Sequence, residues 1–298
     1  PSLLDYANEK GITVQEAMLR SEGIRTVKKI ESLSESAKKA LSPYLVETGF
    51  SYSTVLGGFS ATIRYEDLSR LEQDARVEKV ILSDTYEVPQ AITENDVNVD
   101  GSTGIYDSSV VDYDGTGTVV AVLDTGTDYT HEVFNMVLDD TKTAITKDDV
   151  AGLSAELAAT SLSAANGESI NEDDLYLSTK LPYAYDYADG DANVYPSEAH
   201  GTHVAGIIAG KSDRITGVAP GAQIATFKVF SDYDDGAETD AILAALNDAV
   251  LLGVDAINMS LGSSCGFTRE EDGSAINDVY DSVEAAGICL VVAASNDY

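Results

Sequence analysis

Two hydrophobic patterns divide the chain near residue 90. The first part follows the order helix, strand, short amphipathic helix and second strand, which predicts a small α+β domain over residues 1–90. The last of these strands is expected to bury Val80 and Ile81 in a core. The four predicted segments are 21–41, 52–63, 65–74 and 77–88.

From Gly115 onwards, continuously apolar strands alternate with helices that carry an apolar face. This pattern predicts the α/β class, with a doubly wound parallel sheet covered by helices on both faces. In open sheets of this kind, ligands bind where the strands end. The predicted strands are 118–126, 223–230, 255–262 and 288–295, and the predicted helices are 200–210, 238–253 and 273–287.

Two segments interrupt this alternation. Residues 91–114 are acidic, rich in Ser and Gly and poor in apolar residues, which predicts a linker before a second domain at 115–298. Residues 132–180 form an insertion, in which one helix is predicted over 147–159. The apolar stretches are all shorter than a membrane-spanning helix requires.

Charge separates the same two parts of the chain. Residues 1–90 carry a net charge of −3, whereas the remaining residues carry −30. The acidic part is expected to repel nucleic acid and anionic membranes, because both are bound through Lys and Arg. We interpret it as the solubilising surface of a secreted protein.

Both ends of the chain are expected to be cuts from a longer protein, because Pro1 follows no initiator Met and the chain stops at Tyr298 within an apolar run. Cys265 and Cys289 flank different strands. If those strands are parallel, the thiols lie at opposite ends of the sheet, which predicts two free cysteines.

Asp124 is the first candidate for chemistry, because it ends a buried strand and precedes Thr125 and Gly126. A lone DTG of this kind is most often a turn or capping aspartate. The same letters occur in pepsin-like aspartic proteases, but that class requires an all-β fold and a second DTG. The chain shows neither feature.

A histidine pair in HGTHVAG is the second candidate, with His200 and His203 spaced i, i+3. A zinc site of the zincin type needs Glu after the first histidine, where this chain has Gly201. The third ligand would have to be His131 or one of the many acids. The favoured interpretation makes His200 a general base at a helix N-terminus and His203 a buried structural residue. Gly201 and Gly206 would then let the helix approach the sheet.

Taken in order, five motifs resemble the subtilisin-like serine protease family over residues 115–296. They are DTG, HGTHVAG, GVAP, NMSLG and VVAASN. The acidic YDYADGD stretch, the insertion and VDAINMSLG are most similar to the large cell-envelope proteases of Gram-positive bacteria, such as the lactocepins. The resemblance implies a serine endopeptidase that is secreted or attached to the cell wall.

The resemblance assigns a role to each matching residue. Asp124 would orient the imidazole of His200, which takes the proton from the nucleophile and returns it to the leaving amine. Asn296 would donate a hydrogen bond to the developing oxyanion. The substrate would add a strand along Ser260, Leu261 and Gly262, and Ala293 and Ala294 would form part of the wall of the pocket.

Two departures from the family pattern stand out. Ser295 replaces the usual Gly before the asparagine, and no GTSMA-like segment with the nucleophilic serine is present. The strings GFSAT and GSAIN both precede Asn296, so neither is assigned. The serine is expected beyond Tyr298, and this fragment alone is expected to be inactive. The alternative is a pseudoprotease that acts as a binding or regulatory subunit.

Residues 1–90 resemble the inhibitory propeptide of the same family without its first strand. The resemblance implies that the tail from Glu87 occupies the substrate groove and that maturation cuts between about residues 90 and 109. Expected partners are therefore a protein or peptide substrate and the chain's own propeptide, with no nucleic acid. No cofactor is expected to be required. For DGDAN at 189–193 a solvated acidic turn is favoured over a calcium loop, which stays open.

Overall fold

The computed structural model describes residues 2–87, 113–262 and 270–293. The helices are α1 (Leu3–Lys10), α2 (Val14–Met18), α3 (Ser21–Leu41), α4 (Leu68–Glu72), α5 (Lys147–Leu153), α6 (Ala158–Ala165), α7 (Glu172–Leu175), α8 (His200–Ala209), α9 (Thr239–Leu252) and α10 (Glu270–Ala285). The strands are β1 (Leu45–Tyr52), β2 (Gly58–Ile63), β3 (Thr85–Tyr86), β4 (Val119–Asp124), β5 (Tyr183–Asp186), β6 (Gln223–Lys228), β7 (Ala237–Glu238), β8 (Ala256–Met259) and β9 (Cys289–Val292).

The first 87 residues begin with three helices, of which the hydrophobic pattern predicts only α3. Helices α1 and α2 each start with a capping box, in which Ser2 pairs with Asp5 and Thr13 pairs with Glu16. These boxes satisfy backbone N–H groups that would otherwise lack partners at the helix starts. Short helices of this kind depend on caps and tertiary packing, which an apolar periodicity does not show.

An antiparallel hairpin, β1 with β2, follows α3. The predicted strand at 52–63 was wrong in its bounds, because β1 begins earlier, at Leu45, and the run itself spans the turn and β2. Val80 and Ile81 are half-buried and belong to no strand, so their predicted core strand is also wrong. In the described part of 77–87, only Thr85–Tyr86 forms a strand, and it pairs with β7 outside this domain.

Five parallel strands in the order β5-β6-β4-β8-β9 form the central sheet. Side chains of β4 alternate between two cores: Val119, Ala121 and Leu123 face the core that contains α9, and Val122 faces the core beneath α8. Helices therefore cover both faces, as the continuously apolar strands require. The predicted α/β class with a parallel sheet is confirmed.

The edge strand β5 was missed by the hydrophobic pattern. All four of its residues are buried, although the surrounding YDYADGD stretch is rich in acids and tyrosines. Tyrosine favours strands, and the phenol groups of Tyr183, Tyr185 and Tyr187 are buried with hydrogen-bond partners. The acidic residues made the hydrophobic pattern miss this strand, because the sequence does not show which of them have ion-pair or hydrogen-bond partners.

The insertion contains three helices, α5, α6 and α7, instead of the single helix predicted over 147–159. The buried side chain of Gln223 fixes the segment before α5 and the end of the insertion. Its Oε1 accepts hydrogen bonds from the backbone N–H groups of Ala144 and Ile145 at 2.9 Å each, and its Nε2 donates to the carbonyls of Ile145 and Thr179 at 2.8 and 2.9 Å. The insertion is therefore anchored to the sheet.

Helix α9 is buried almost along its whole length, between the sheet, the insertion and residues 1–87. Asn247 accepts hydrogen bonds from the backbone of Ser53 and Thr54, at 3.3 and 2.8 Å. The adjacent Asp248 caps α6 by accepting from the backbone N–H groups of Ala158 and Ala159, at 2.8 and 3.1 Å. Two neighbouring polar residues of α9 thus hold both partners in place.

Three features predicted from the sequence lie wholly or mostly outside the described residues. They are the linker 91–114, apart from its last two residues, Cys265 and the predicted maturation region. Cys289 is an exposed free thiol at the start of β9. Among the helices that the structure describes, none combines the length and the apolar character needed to cross a membrane.

Replacing Asp248 with Ala should destabilise the chain by about 3 kcal/mol or more. The substitution leaves two N–H groups of α6 buried without an acceptor and removes the bond of 2.7 Å that the Tyr187 hydroxyl donates to Asp248. Urea unfolding measures the free energy of unfolding, with exposed Glu284→Ala as the control. Equal unfolding midpoints for both variants would contradict this assignment.

Candidate active site

Strand β4 ends at Asp124, whose carboxylate is buried at the carboxyl end of the sheet with 1% of its surface exposed. Its Oδ1 accepts a hydrogen bond of 2.7 Å from the backbone N–H of Thr125. Within the described part of the chain, Oδ2 has no hydrogen-bond partner. A buried carboxylate held in this way needs a positive or hydrogen-bonding neighbour.

His200 supplies that neighbour as the first residue of α8. Its Nδ1 lies 2.8 Å from Asp124 Oδ1. About one fifth of the imidazole side chain remains exposed, so the ring bridges the buried carboxylate and solvent. The hydrogen bond to Asp124 raises the pKa of His200, and burial of the ring opposes this effect. The arrangement fixes an imidazole that can accept and return a proton.

Two threonines hold the start of α8 against the end of β4. Thr125 Oγ1 donates to the carbonyl of Glu198 and accepts from the N–H of Gly201, each at 3.0 Å. The N–H of Asp128 donates to Thr202 Oγ1 at 2.8 Å. These hydroxyl bonds position His200 over Asp124, in addition to the bond from the Thr125 N–H to the carboxylate.

Gly201 makes the close approach of α8 possible, because a Cβ at this position would overlap the carbonyl oxygen of Gly126 and press on Asp124. This agrees with the role expected for Gly201. The same expectation for Gly206 is wrong, since a Cβ there would enter open space. The contact at Gly201 is therefore specific to the helix start.

The other two histidines, His131 and His203, are not part of the contact between Asp124 and His200. His203 is exposed, so the prediction that it is a buried structural residue is wrong. His131 Nδ1 accepts from the N–H of Val133 at 3.4 Å and caps a short 3₁₀ turn. Within the described residues, the groups that could share a metal ion include no histidine.

The acids that could share a metal ion are Asp186, Asp189 and Asp232, and an ammonium group lies among them. Lys228 Nζ is 2.5 Å from Asp186, 3.4 Å from Asp189 and 3.3 Å from Asp232. Asp189 of the DGDAN loop is thus paired with Lys228. The other acid of that loop, Asp191, accepts from the N–H of Asn193 at 2.7 Å. Calcium binding by this loop stays the less favoured of the two sequence interpretations.

Ser260, Leu261 and Gly262 follow directly after β8 at the same edge of the sheet. Gly262 and Glu87 exchange two backbone hydrogen bonds, from the Glu87 N–H at 2.6 Å and from the Gly262 N–H at 3.0 Å. Leu261 is buried, and Ser260 Oγ accepts from Asn258 Nδ2 at 3.0 Å. The segment therefore presents its backbone to an extended chain.

Two of the predicted site residues, Asn296 and Ala294, lie outside the described residues. Ala293 is exposed, and its N–H donates to the carbonyl of Met259 at 3.0 Å, which keeps it beside the end of β8. The structure thus places His200 beside Asp124 at the end of β4, and it places Gly262 and Ala293 near the end of the neighbouring strand β8.

Sequence reasoning missed Thr125, Thr202 and Gly236 as positioning residues. Gly236 has φ +90°, and a Cβ there would overlap Thr85 and lie 2.9 Å from the carbonyl oxygen of Tyr86. The positive φ and the close approach of the tail of residues 84–87 both require glycine here, and a single sequence does not show that approach. Thr125 lies within DTG and Thr202 within HGTHV. Their positions close to Asp124 and His200 in these motifs are the sequence feature that could have identified them.

Comparison with known proteins places these motifs in context. The sequence profile described as "Subtilase family" matches residues 115–298. The PII-type proteinase of Lacticaseibacillus paracasei is 33% identical over 302 residues, which cover 97% of this chain and 15% of that protein. The C5a peptidase of Streptococcus pyogenes is 32% identical over 194 residues, covering 61% of this chain and 15% of that protein.

Among solved structures, fervidolysin from Fervidobacterium pennivorans, a keratinolytic enzyme related to subtilisin, aligns with a TM-score of 0.52 and 18% identity. The alignment covers 90% of this chain and 39% of that one. At this identity the likeness concerns the fold alone. The chain spans about 15% of the length of the curated relatives described above.

The His200 imidazole should titrate above the ordinary histidine value of about 6.5. Asp124→Asn should lower this pKa, because the neutral amide no longer favours the charged ring. NMR titration of the imidazole signals measures both values, and His203→Gln removes the signal of the exposed neighbour. Since the folded-state pKa is raised, this pair stabilises the fold fully below about pH 6.5, and the contribution is lost as pH rises through the folded pKa. An unchanged His200 pKa in Asp124→Asn would contradict the contact.

Proposed function

This chain belongs to the Subtilase family, and we propose that it is the N-terminal part of a serine endopeptidase precursor that hydrolyses peptide bonds in proteins. The predicted family is confirmed, as is its likeness to lactocepin-type proteinases. The observation that carries the proposal is the 2.8 Å contact between Asp124 and His200 at the carboxyl end of a parallel sheet.

The proposed reaction divides the work among three groups. His200 removes the proton from a serine nucleophile through Nε2, because Nδ1 is engaged with Asp124. Asp124 holds the ring and stabilises the imidazolium that forms. No GTSMA-like segment occurs in this sequence, so the proposal requires a serine from outside residues 1–298. Asn296 would donate to the oxyanion, which typically contributes about 3–4 kcal/mol to transition-state binding.

Residues 1–87 act as a propeptide in this proposal. Their tail pairs on one side with β7, through Thr85 with Glu238 and Tyr86 with Ala237, and on the other with Gly262. An extended chain that adds to a strand edge in this way has the geometry of a bound peptide. The proposed role is to occupy the substrate groove along Ser260–Gly262 until maturation.

Several finer aspects complete the proposal. We infer a protein secreted or attached to the cell wall, which acts on proteins or peptides and does not bind nucleic acid, because residues 91–298 carry a net charge of −30. No cofactor takes part in the triad chemistry. The wall of the pocket that holds the residue before the cut would include Ala293 and Ala294.

The rival function is a pseudoprotease that keeps this scaffold without a nucleophile. A fluorophosphonate probe distinguishes the two, because it labels only an activated serine. The intact protein should be labelled, the His200→Ala variant should lose labelling by about 10³-fold or more, and the 1–298 chain should not be labelled. An intact, folded protein that resists labelling would establish the rival.

Replacing Glu87 with Pro should weaken self-inhibition of the intact precursor. Proline lacks the N–H that donates to the Gly262 carbonyl at 2.6 Å, so the tail loses one of its two bonds on that side. Hydrolysis of a fluorogenic peptide by freshly purified precursor should begin with a shorter lag and a severalfold higher rate than in the control Glu87→Ala, which keeps the backbone donor. Identical lags would place the tail outside the groove.

A further inference from the structure

The loop of residues 231–236 connects β6 to β7, the strand that pairs with the tail. None of the side chains in this loop is buried, and residues 232–235 are all exposed. A loop that buries no apolar side chain depends on its polar contacts for a fixed conformation. The polar contacts of this loop therefore decide where β7 begins.

Lys228, the last residue of β6, lies at the centre of these contacts. Its side chain is buried, and its Nζ is 2.5 Å from Asp186, 3.4 Å from Asp189 and 3.3 Å from Asp232. These four residues are called the lysine cluster below. Burial lowers the pKa of Lys228, but the three carboxylates outweigh this effect and raise the pKa above its ordinary value. The ammonium group is therefore charged at neutral pH.

The lysine cluster joins the loop to the turn that follows β5. Asp189 of that turn accepts a hydrogen bond of 2.6 Å from Ser231 Oγ and one of 2.9 Å from the Asp232 N–H. Ser231 Oγ also accepts from the N–H groups of Tyr233 and Asp234, at 3.0 and 3.2 Å. The first half of the loop is thus folded around one hydroxyl group that is bonded to the cluster.

The same lysine is fixed relative to the candidate active site. In the parallel sheet Lys228 is aligned with Asp124 on one side and with Asp186 on the other. A Cβ added to Gly126 would lie 3.0 Å from Lys228 Cδ, so the methylene stem of the lysine packs against the turn that follows Asp124. The lysine cluster therefore connects the loop to the strand that carries Asp124.

We propose that Lys228 is a positioning residue for the substrate groove, because the lysine cluster holds the loop and so fixes the place at which β7 pairs with the backbone of an extended substrate. The inference rests on the proposed peptidase function and adds a residue that acts on substrate binding without touching the substrate. The tail shows the pairing expected of a substrate, with Thr85 aligned with Glu238 and Tyr86 with Ala237.

An ammonium group suits this role for two reasons. It donates in three directions, so one side chain can bond acceptors from both the turn after β5 and the loop. Its burial also protects these ion pairs from screening by salt. The exposed loop is thus held by contacts that lie beneath the surface.

Two fluorogenic peptides test the proposal on the matured full-length enzyme. Both share the same residues from the position that pairs with Gly262 onwards, and the long peptide has four further residues ahead of it, so only the long peptide reaches β7. Ser231→Ala removes the hydroxyl that links the loop to Asp189. It should raise KM for the long peptide about three- to tenfold, while kcat and both constants for the short peptide keep their wild-type values.

Ser212→Ala is the matched control. Ser212 Oγ accepts two backbone N–H groups in the exposed loop 211–216, as Ser231 Oγ does in its own loop, but it is not part of the lysine cluster. This variant should leave KM and kcat for both peptides unchanged. Lys228→Met keeps an unbranched stem without the ammonium and should raise KM for the long peptide further than Ser231→Ala. Because Lys228→Met leaves Asp186 buried without its cation, Ser231→Ala carries the test where that variant does not fold.

A second readout does not depend on activity and uses the 298-residue chain. The Asp84 N–H donates to Thr239 Oγ1 directly after β7 at 2.8 Å, so its hydrogen exchange reports how often the tail leaves this side of the groove. Ser231→Ala should speed this exchange about three- to tenfold, and Ser212→Ala should not change it. The Leu3 amide, which is bonded within residues 1–87, should exchange at the wild-type rate in both variants.

The outcomes separate the two claims. A wild-type KM for the long peptide in Ser231→Ala, a rise in KM that is equal for both peptides, or an unchanged Asp84 exchange rate would overturn the role of the lysine cluster and leave the proposed function intact. Failure of the intact protein to cleave either peptide would overturn the proposed function, whereas faster Asp84 exchange in Ser231→Ala alone would still support the contact of the loop with the cluster.

Discussion

The burial of helix α9 is the constraint on which the rest of this structure depends. One side of the helix packs on the parallel sheet, and its other sides are covered by the insertion and by residues 1–87. Asn247 and Asp248 lie within this apolar helix and take hydrogen bonds from both of those partners. Buried polar groups are costly unless they are paired. Residues 1–87 provide the hydrogen bonds for Asn247, and the insertion provides those for Asp248. The three parts therefore form one continuous core.

The same packing determines where the tail of residues 84–87 can lie. The start of α9 binds Asp84 through Thr239, and β7 immediately before it pairs with Thr85 and Tyr86. The tail then reaches Gly262 at the end of β8, on the edge of the sheet where Asp124 also lies. Residues 1–87, which pack along α9, thus bring their tail to this edge of the sheet as an extended strand.

At the site itself, precision comes from residues that do no chemistry in the proposed mechanism. Thr125 and Thr202 fix the start of α8, and Gly201 lets it approach Asp124. The imidazole therefore lies against a buried carboxylate while one of its edges stays accessible to solvent. Such preorganisation reduces the reorganisation needed when charge develops on the ring.

The sequence by itself determined the α/β class, the helix α3, the strands that end at Asp124 and near Ser260, and the pairing of Asp124 with His200 as candidates. These follow from local apolar periodicity and from motifs that are short and contiguous. Only the tertiary structure decided that residues 183–186 form an edge strand, that His203 is exposed, and that Val80 and Ile81 lie outside a core strand. It also revealed why Gly236 matters, because the tail passes this glycine from about 150 residues earlier in the sequence. Burial and long-range contact depend on which segments meet in space, and a single sequence carries no direct record of that.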